Sequence, residues 1–139
     1  MTTRAKLVRM NARAKLAWAA VAAYCGLIWF LSSLSVLAIS IDSFPLRDKG
    51  IHFCEYAVLA ALLTLAFAET FPRMSTFHRA NLGACIAIAY GALDEIHQAF
   101  VPGRASEVLD LVADSLGAIS GATFVTLALA FARRTRGTA

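Results

Sequence analysis

Asp94, Glu95, His97, Gln98, Arg104, Glu107, Asp110 and Asp114 fall within 21 consecutive positions of a chain that is 59% hydrophobic. A second polar group lies upstream: Asp48, Lys49, His52, Glu55 and Tyr56. Carboxylates and imidazoles together can move protons, provided burial brings their pKa values toward neutrality. In that role Glu55, Asp94 or Glu95 would serve as general base and His52 or His97 as acid. Asp110 and Asp114 add two further candidate catalytic carboxylates. Lys49 and Arg104 are suited to holding an anionic headgroup, with Tyr56 and Gln98 as further substrate-binding candidates. Carboxylate oxygens with an imidazole nitrogen also suit a divalent metal. No HExxH, HxH or CxxC pattern selects one, so the metal is left open.

The spacing of these residues is helical. Positions 48, 52, 55 and 56 share one face, as do 94, 97 and 98, with Glu95 turned by about 100°. Positions 110, 114, 117 and 121 make a third face, on which Gly117 and Gly121 form a small-xxx-small pair for close helix packing. Asp48 also reads as a helix cap and Lys49 as an interfacial anchor. Ser32 and Ser33 read as residues bonded to their own helix or to a neighbouring one.

These faces need helices to carry them, and the apolar runs supply four. Charged residues are only 16% of the chain, against about 25% in ordinary soluble domains. The runs predict spans over residues 16–41, 48–68, 80–100 and 107–132, each near the length that crosses a bilayer. The first is too long for a cleavable signal and is expected to be retained. Loops are predicted at 41–50 and 69–79, where His78 reads as solvated. Pro102 and Gly103 fit a type II turn, and Ser106 is the expected cap of the last span. The organisation is thus a basic N-tail (1–15), a four-span domain (16–132) and a basic C-tail (133–139). Cys25, Cys54 and Cys85 have neither pairing nor metal spacing and read as small buried hydrophobes.

Ten of the thirteen Lys and Arg residues fall on the side of the two tails and the 69–79 loop. This places both termini in the cytoplasm and almost all the acids in the outer half. The net charge of +4 is spread as membrane flanks, so nucleic acid is excluded as a partner. Charges facing lipid are expensive, so the polar faces are expected to turn toward one another around an outward-opening cavity. The expected class is all-α, a four-helix transmembrane bundle.

At these residues the chain resembles the VanZ-like family of small bacterial membrane proteins. The matching stretches are Phe30-Leu31-Ser32-Ser33, Asp48-Lys49-Gly50-Ile51-His52-Phe53-Cys54-Glu55-Tyr56, Tyr90 through Arg104, and Asp110-Leu111-Val112-Ala113-Asp114-Ser115-Leu116-Gly117. They cover roughly residues 25–122. Asp114 departs from the Asn expected in many members, adding an acid. The resemblance implies a multi-pass protein of the bacterial cytoplasmic (inner) membrane and a link to glycopeptide (teicoplanin) resistance. It implies no agreed catalytic mechanism.

Three functions remain open. One is an enzyme acting on a membrane lipid or lipid-linked envelope precursor. Another is a small transporter or proton-coupled flippase component; with four spans and no visible repeat, it would need a homo-oligomer. The last is a structural or partner-binding bundle.

Overall fold

The computed structural model describes residues 10–34 and 45–137. Among them the chain is all-α, with α1 (Ala12–Ser32), α2 (Pro45–Thr70), α3 (Thr76–Gln98) and α4 (Val108–Gly137). Successive helices run in opposite directions. Trp18 on α1 meets Thr70 on α2 at one end, and Ser32 on α1 meets Asp94 on α3 at the other. Helices α2, α3 and α4 pack around one another, and α1 lies against α2 and the edge of α3.

The packing follows from small residues. The buried stripe of α3 is Arg79, Gly83, Ala87, Gly91 and Glu95, one residue every four, which lets neighbouring backbones approach closely. Gly117 and Gly121 do the same for α2 against α4. A Cβ on Gly117 would run into the Phe53 carbonyl, and one on Gly121 into the Ala57 carbonyl. Contact by α1 is thinner. Its buried residues Ala14, Val21 and Ile28 recur every seven positions, a single seam of the coiled-coil type. Tyr56, Leu59, Ala60 and Leu63 on α2 form the centre of the core.

The outer surface is apolar. Leu16, Leu27 and Phe30 on α1, Leu82, Ile86, Leu93 and Ile96 on α3, and Leu116, Ile119, Phe124, Leu127 and Phe131 on α4 all face outward. Buried polar groups and an exposed apolar belt are the arrangement a lipid environment favours. Three helices have the length and composition to cross a membrane: Ala12–Ser32, Asp48–Thr70 and Val108–Thr135. The 23 residues of α3 are also long enough, at about 1.5 Å per residue. Arg79 near one end and Asp94, Glu95 and His97 at the other lower its hydropathy, yet the first three of these are buried within the bundle. The molecule is a membrane protein.

Several boundaries differ from those predicted. Helix α1 starts earlier than residue 16, because Asn11 caps it by accepting the Ala14 N–H at 2.8 Å. Arg13 and Lys15 are therefore helical. The later part of the predicted first span, residues 35–41, lies outside the described residues. Pro45 opens α2, where a proline loses no hydrogen bond, so the helix begins three residues before the predicted start at Asp48. Ser75 caps α3, which takes in His78. Helix α4 continues through Arg133 and Arg134 to Gly137. Cys54 and Cys85 are exposed on the bundle's outer face rather than buried; lipid there is as apolar as a protein core.

Candidate functional site

The polar residues gather at the end of the bundle away from Ala12 and Gly137. The start of α2 faces the start of α4 in a ladder of matched positions. Lys49 donates to Asp110 Oδ1 at 2.8 Å and to Glu107 Oε2 at 2.9 Å. One turn further in, His52 Nδ1 pairs with Asp114 Oδ1 at 3.0 Å. Below them the ladder becomes glycine on carbonyl, Gly117 on Phe53 and Gly121 on Ala57. The glycines thus hold α2 and α4 close enough for the charged rungs to meet.

The end of α3 supplies the third wall, and its polar residues diverge. Asp94 Oδ2 accepts from Ser32 at 2.7 Å and from Gln98 Nε2 at 3.0 Å. Glu95 turns toward α4 and accepts the Glu107 backbone N–H at 2.9 Å on Oε2. This satisfies a donor at the start of α4, where Glu107 rather than the expected Ser106 supplies the first accepting carbonyl. His97 turns toward α1. Its ring stacks on Trp29 with centroids 3.9 Å apart, and its Nε2 lies 2.9 Å from Ser33 Oγ.

The candidates drawn from the sequence therefore separate into an inner and an outer set. His52, Tyr56, Asp94, Glu95, Gln98, Asp110 and Asp114 are buried. Glu55 is half-buried and accepts no hydrogen bond among the described residues, although it is near enough to His52, Asp94 and Asp114 to feel their charges. Lys49 sits at the rim. His97 belongs to the contact between α1 and α3. Arg104 faces the end of α1, donating from Nε to the Leu34 carbonyl and from Nη2 to that of Leu31, both at 3.1 Å. The Pro102-Gly103 turn aims it there: Gly103 has φ 81° and the Arg104 N–H closes the turn on Val101 O. A guanidinium on terminal carbonyls is a helix C-cap.

Four buried oxygens in this region have no hydrogen-bond partner among the described residues: Tyr56 Oη, Asp94 Oδ1, Glu95 Oε1 and Asp114 Oδ2. Leaving such atoms bare is costly, so they mark a place where the described side chains do not satisfy one another.

Gly91 has a role that its type alone does not announce. A Cβ there would lie 2.9 Å from Asp114 Oδ2 and 3.2 Å from Tyr56 Cε1. The bare backbone of α3 thus faces both groups. Ser32 and Trp29 are likewise part of the assembly, as partners of Asp94 and His97. A small-residue stripe at spacing four, ending on Glu95, was the signal in the sequence for the Gly91 contact.

The VanZ/LLP1 family profile matches residues 17–129. The chain belongs to the VanZ/LLP1 family. That match covers α2 and α3 and most of α1 and α4, so the buried cluster lies wholly inside the region shared with the VanZ/LLP1 family. Searches of curated proteins and of solved structures return no match.

Proposed function

We propose that this VanZ/LLP1 protein is a multi-pass protein of the bacterial cytoplasmic (inner) membrane that acts on a membrane lipid or lipid-linked envelope precursor. Both termini lie in the cytoplasm, following the excess of basic residues on that side. The polar end then lies at the outer leaflet, at the depth of lipid headgroups. The observation that carries this reading is the group of four buried oxygens at the polar end that have no partner among the described residues. A bundle held only by its own packing would fill that place with apolar side chains at less cost.

The geometry divides the roles. Asp114 holds His52 by Nδ1, which leaves Nε2 available to a substrate oxygen or to an ion. Asp94 and Glu95 each have one oxygen engaged in hydrogen bonds and one free. Glu55 has neither engaged, and so is the carboxylate most available as general base. Lys49 is already neutralised by two acids, and two Arg104 nitrogens are committed to carbonyls. Their hold on an anionic headgroup is correspondingly weaker than their charges suggest. The family link to teicoplanin resistance fits action on an envelope precursor.

The test is turnover. Purified protein is incubated with a panel of lipid phosphates and lipid-linked precursors, beside Glu55→Gln and Asp114→Asn. Conversion by the wild type that drops at least tenfold in both variants supports the reading. No conversion anywhere on the panel overturns it.

A further inference from the structure

The buried cluster is over-supplied with acid. Asp94, Glu95, Asp110 and Asp114 are all 6% exposed or less. Among the described residues, Lys49 answers Asp110 and His52 answers Asp114. Asp94 is held by Ser32 and Gln98, and Glu95 by the Glu107 backbone N–H and the Ser106 hydroxyl. Neither pairs with a cation among the described residues. Two uncompensated carboxylates in a low-dielectric interior require either protons or a further positive charge.

The geometry points to a bound divalent metal ion held by His52, Glu95 and Asp114. These three come from α2, α3 and α4, and each places a ligand atom within 4.8 Å of the other two. All three are buried. Independently of that spacing, Glu95 Oε1 and Asp114 Oδ2 have no partner, so each ligand carboxylate keeps an oxygen free for coordination. Tyr56 Oη, also unpartnered among the described residues, belongs to a ring that shares the Gly91 contact with Asp114. The Glu95 bond to the Glu107 N–H fixes one ligand from behind, as outer-shell hydrogen bonds do at metal centres. One imidazole with carboxylates and no thiolate suits zinc or manganese rather than a soft metal.

The inference does not depend on the substrate, but it bears on it. An acidic cluster repels an anionic headgroup, and a divalent ion there reverses the sign of the local field.

The experiment is metal binding by the full chain in detergent. Protein is stripped with EDTA, dialysed, and titrated with Zn2+ and Mn2+ separately, with bound metal read by mass spectrometry and the melting temperature read in parallel. Wild type is expected to take up about one equivalent of one of these ions and to melt higher with it. Glu95→Gln and Asp114→Asn should each weaken binding by about tenfold or more, whereas Ser120→Ala on the outer face of α4 should not. Because the wild type carries the primary measurement, a variant that fails to fold leaves the test intact. Wild type that binds neither ion, with an unmoved melting temperature, overturns the site. So does binding that the two folded variants retain unchanged. Metal uptake without turnover of envelope lipids would sink only the functional reading, and turnover by wild type that binds neither ion would sink only the metal site.

Discussion

Ser32 on α1 donates its hydroxyl to Asp94 on α3 at 2.7 Å, with both side chains buried. This is the most buried polar contact made by α1, a helix whose apolar seam is thin. Ser32→Ala removes it and leaves Asp94 to Gln98 alone. Interhelical hydrogen bonds in membrane proteins contribute about 0.6 kcal/mol on average and up to about 1.7. The loss here should fall at the upper end, since the acceptor is a buried carboxylate. Thermal unfolding in detergent measures it, with Ser33→Ala as comparison. Ser33 is exposed and has a second bond to its own helix at Trp29 O, so its removal should cost less. Equal costs would show that burial of Asp94 does not set the strength of the contact.

The α2–α4 seam predicts an opposite pair of glycine effects. Gly117→Ala and Gly121→Ala place a methyl against the carbonyls of Phe53 and Ala57, backbone atoms that cannot step aside. Forced overpacking costs about 1–3 kcal/mol. The same displacement pulls His52 from Asp114, so function should fall with stability. Gly26→Ala and Gly50→Ala meet nothing within 4 Å and sit inside helices. There alanine should stabilise by up to about 1 kcal/mol. Four melting temperatures decide the matter, and a stabilised Gly117→Ala would contradict the close approach.

The helices were legible in the sequence because each is an apolar run of bilayer length with polar faces at helical spacing. Their ends were less so. Asn11 and Ser75 are ordinary caps, but Pro45 opening α2 is hidden by the loop-like composition around it, and Glu107 displaces Ser106 by one position. Depth along each helix placed His52, Asp94 and Asp114 at one level from spacing alone. Which side chain meets which was not legible. Residues 94, 97 and 98 share a helical face, yet His97 turns to Trp29 while Asp94 and Gln98 turn inward, because α1 covers only part of that face. Arg104 reads as a free cation until the turn at Gly103 directs it onto the carbonyls of Leu31 and Leu34. The contribution of Gly91 is a missing side chain, which a search for chemistry-bearing residues passes over.

Gly91→Ala tests that missing side chain. Its methyl would lie 2.9 Å from Asp114 Oδ2 and 3.2 Å from Tyr56 Cε1. The carboxylate, as the softer neighbour, should rotate and weaken its bond to His52 Nδ1. Nitrogen NMR of labelled histidine would register this as a change at His52 and not at His78, which is exposed at the other end of the bundle. The alanine should reduce function more than it reduces the melting temperature. An unchanged His52 signal would place the carboxylate elsewhere than against Gly91.

Lys49 provides the last prediction. Its ammonium bridges Asp110, buried, and Glu107, exposed, so removing it strands a buried acid. Lys49→Met should lower the melting temperature because Asp110 then lacks a cation. Lys49→Met with Asp110→Asn should recover much of the loss, since the uncompensated charge goes with its partner. Lys49→Met with Glu107→Gln should recover little, because Glu107 already faces solvent. The two double-mutant cycles therefore rank Asp110 above Glu107 as the partner that matters. Equal rescue by both would mean that Lys49 answers the summed charge at this end of the bundle rather than one buried carboxylate.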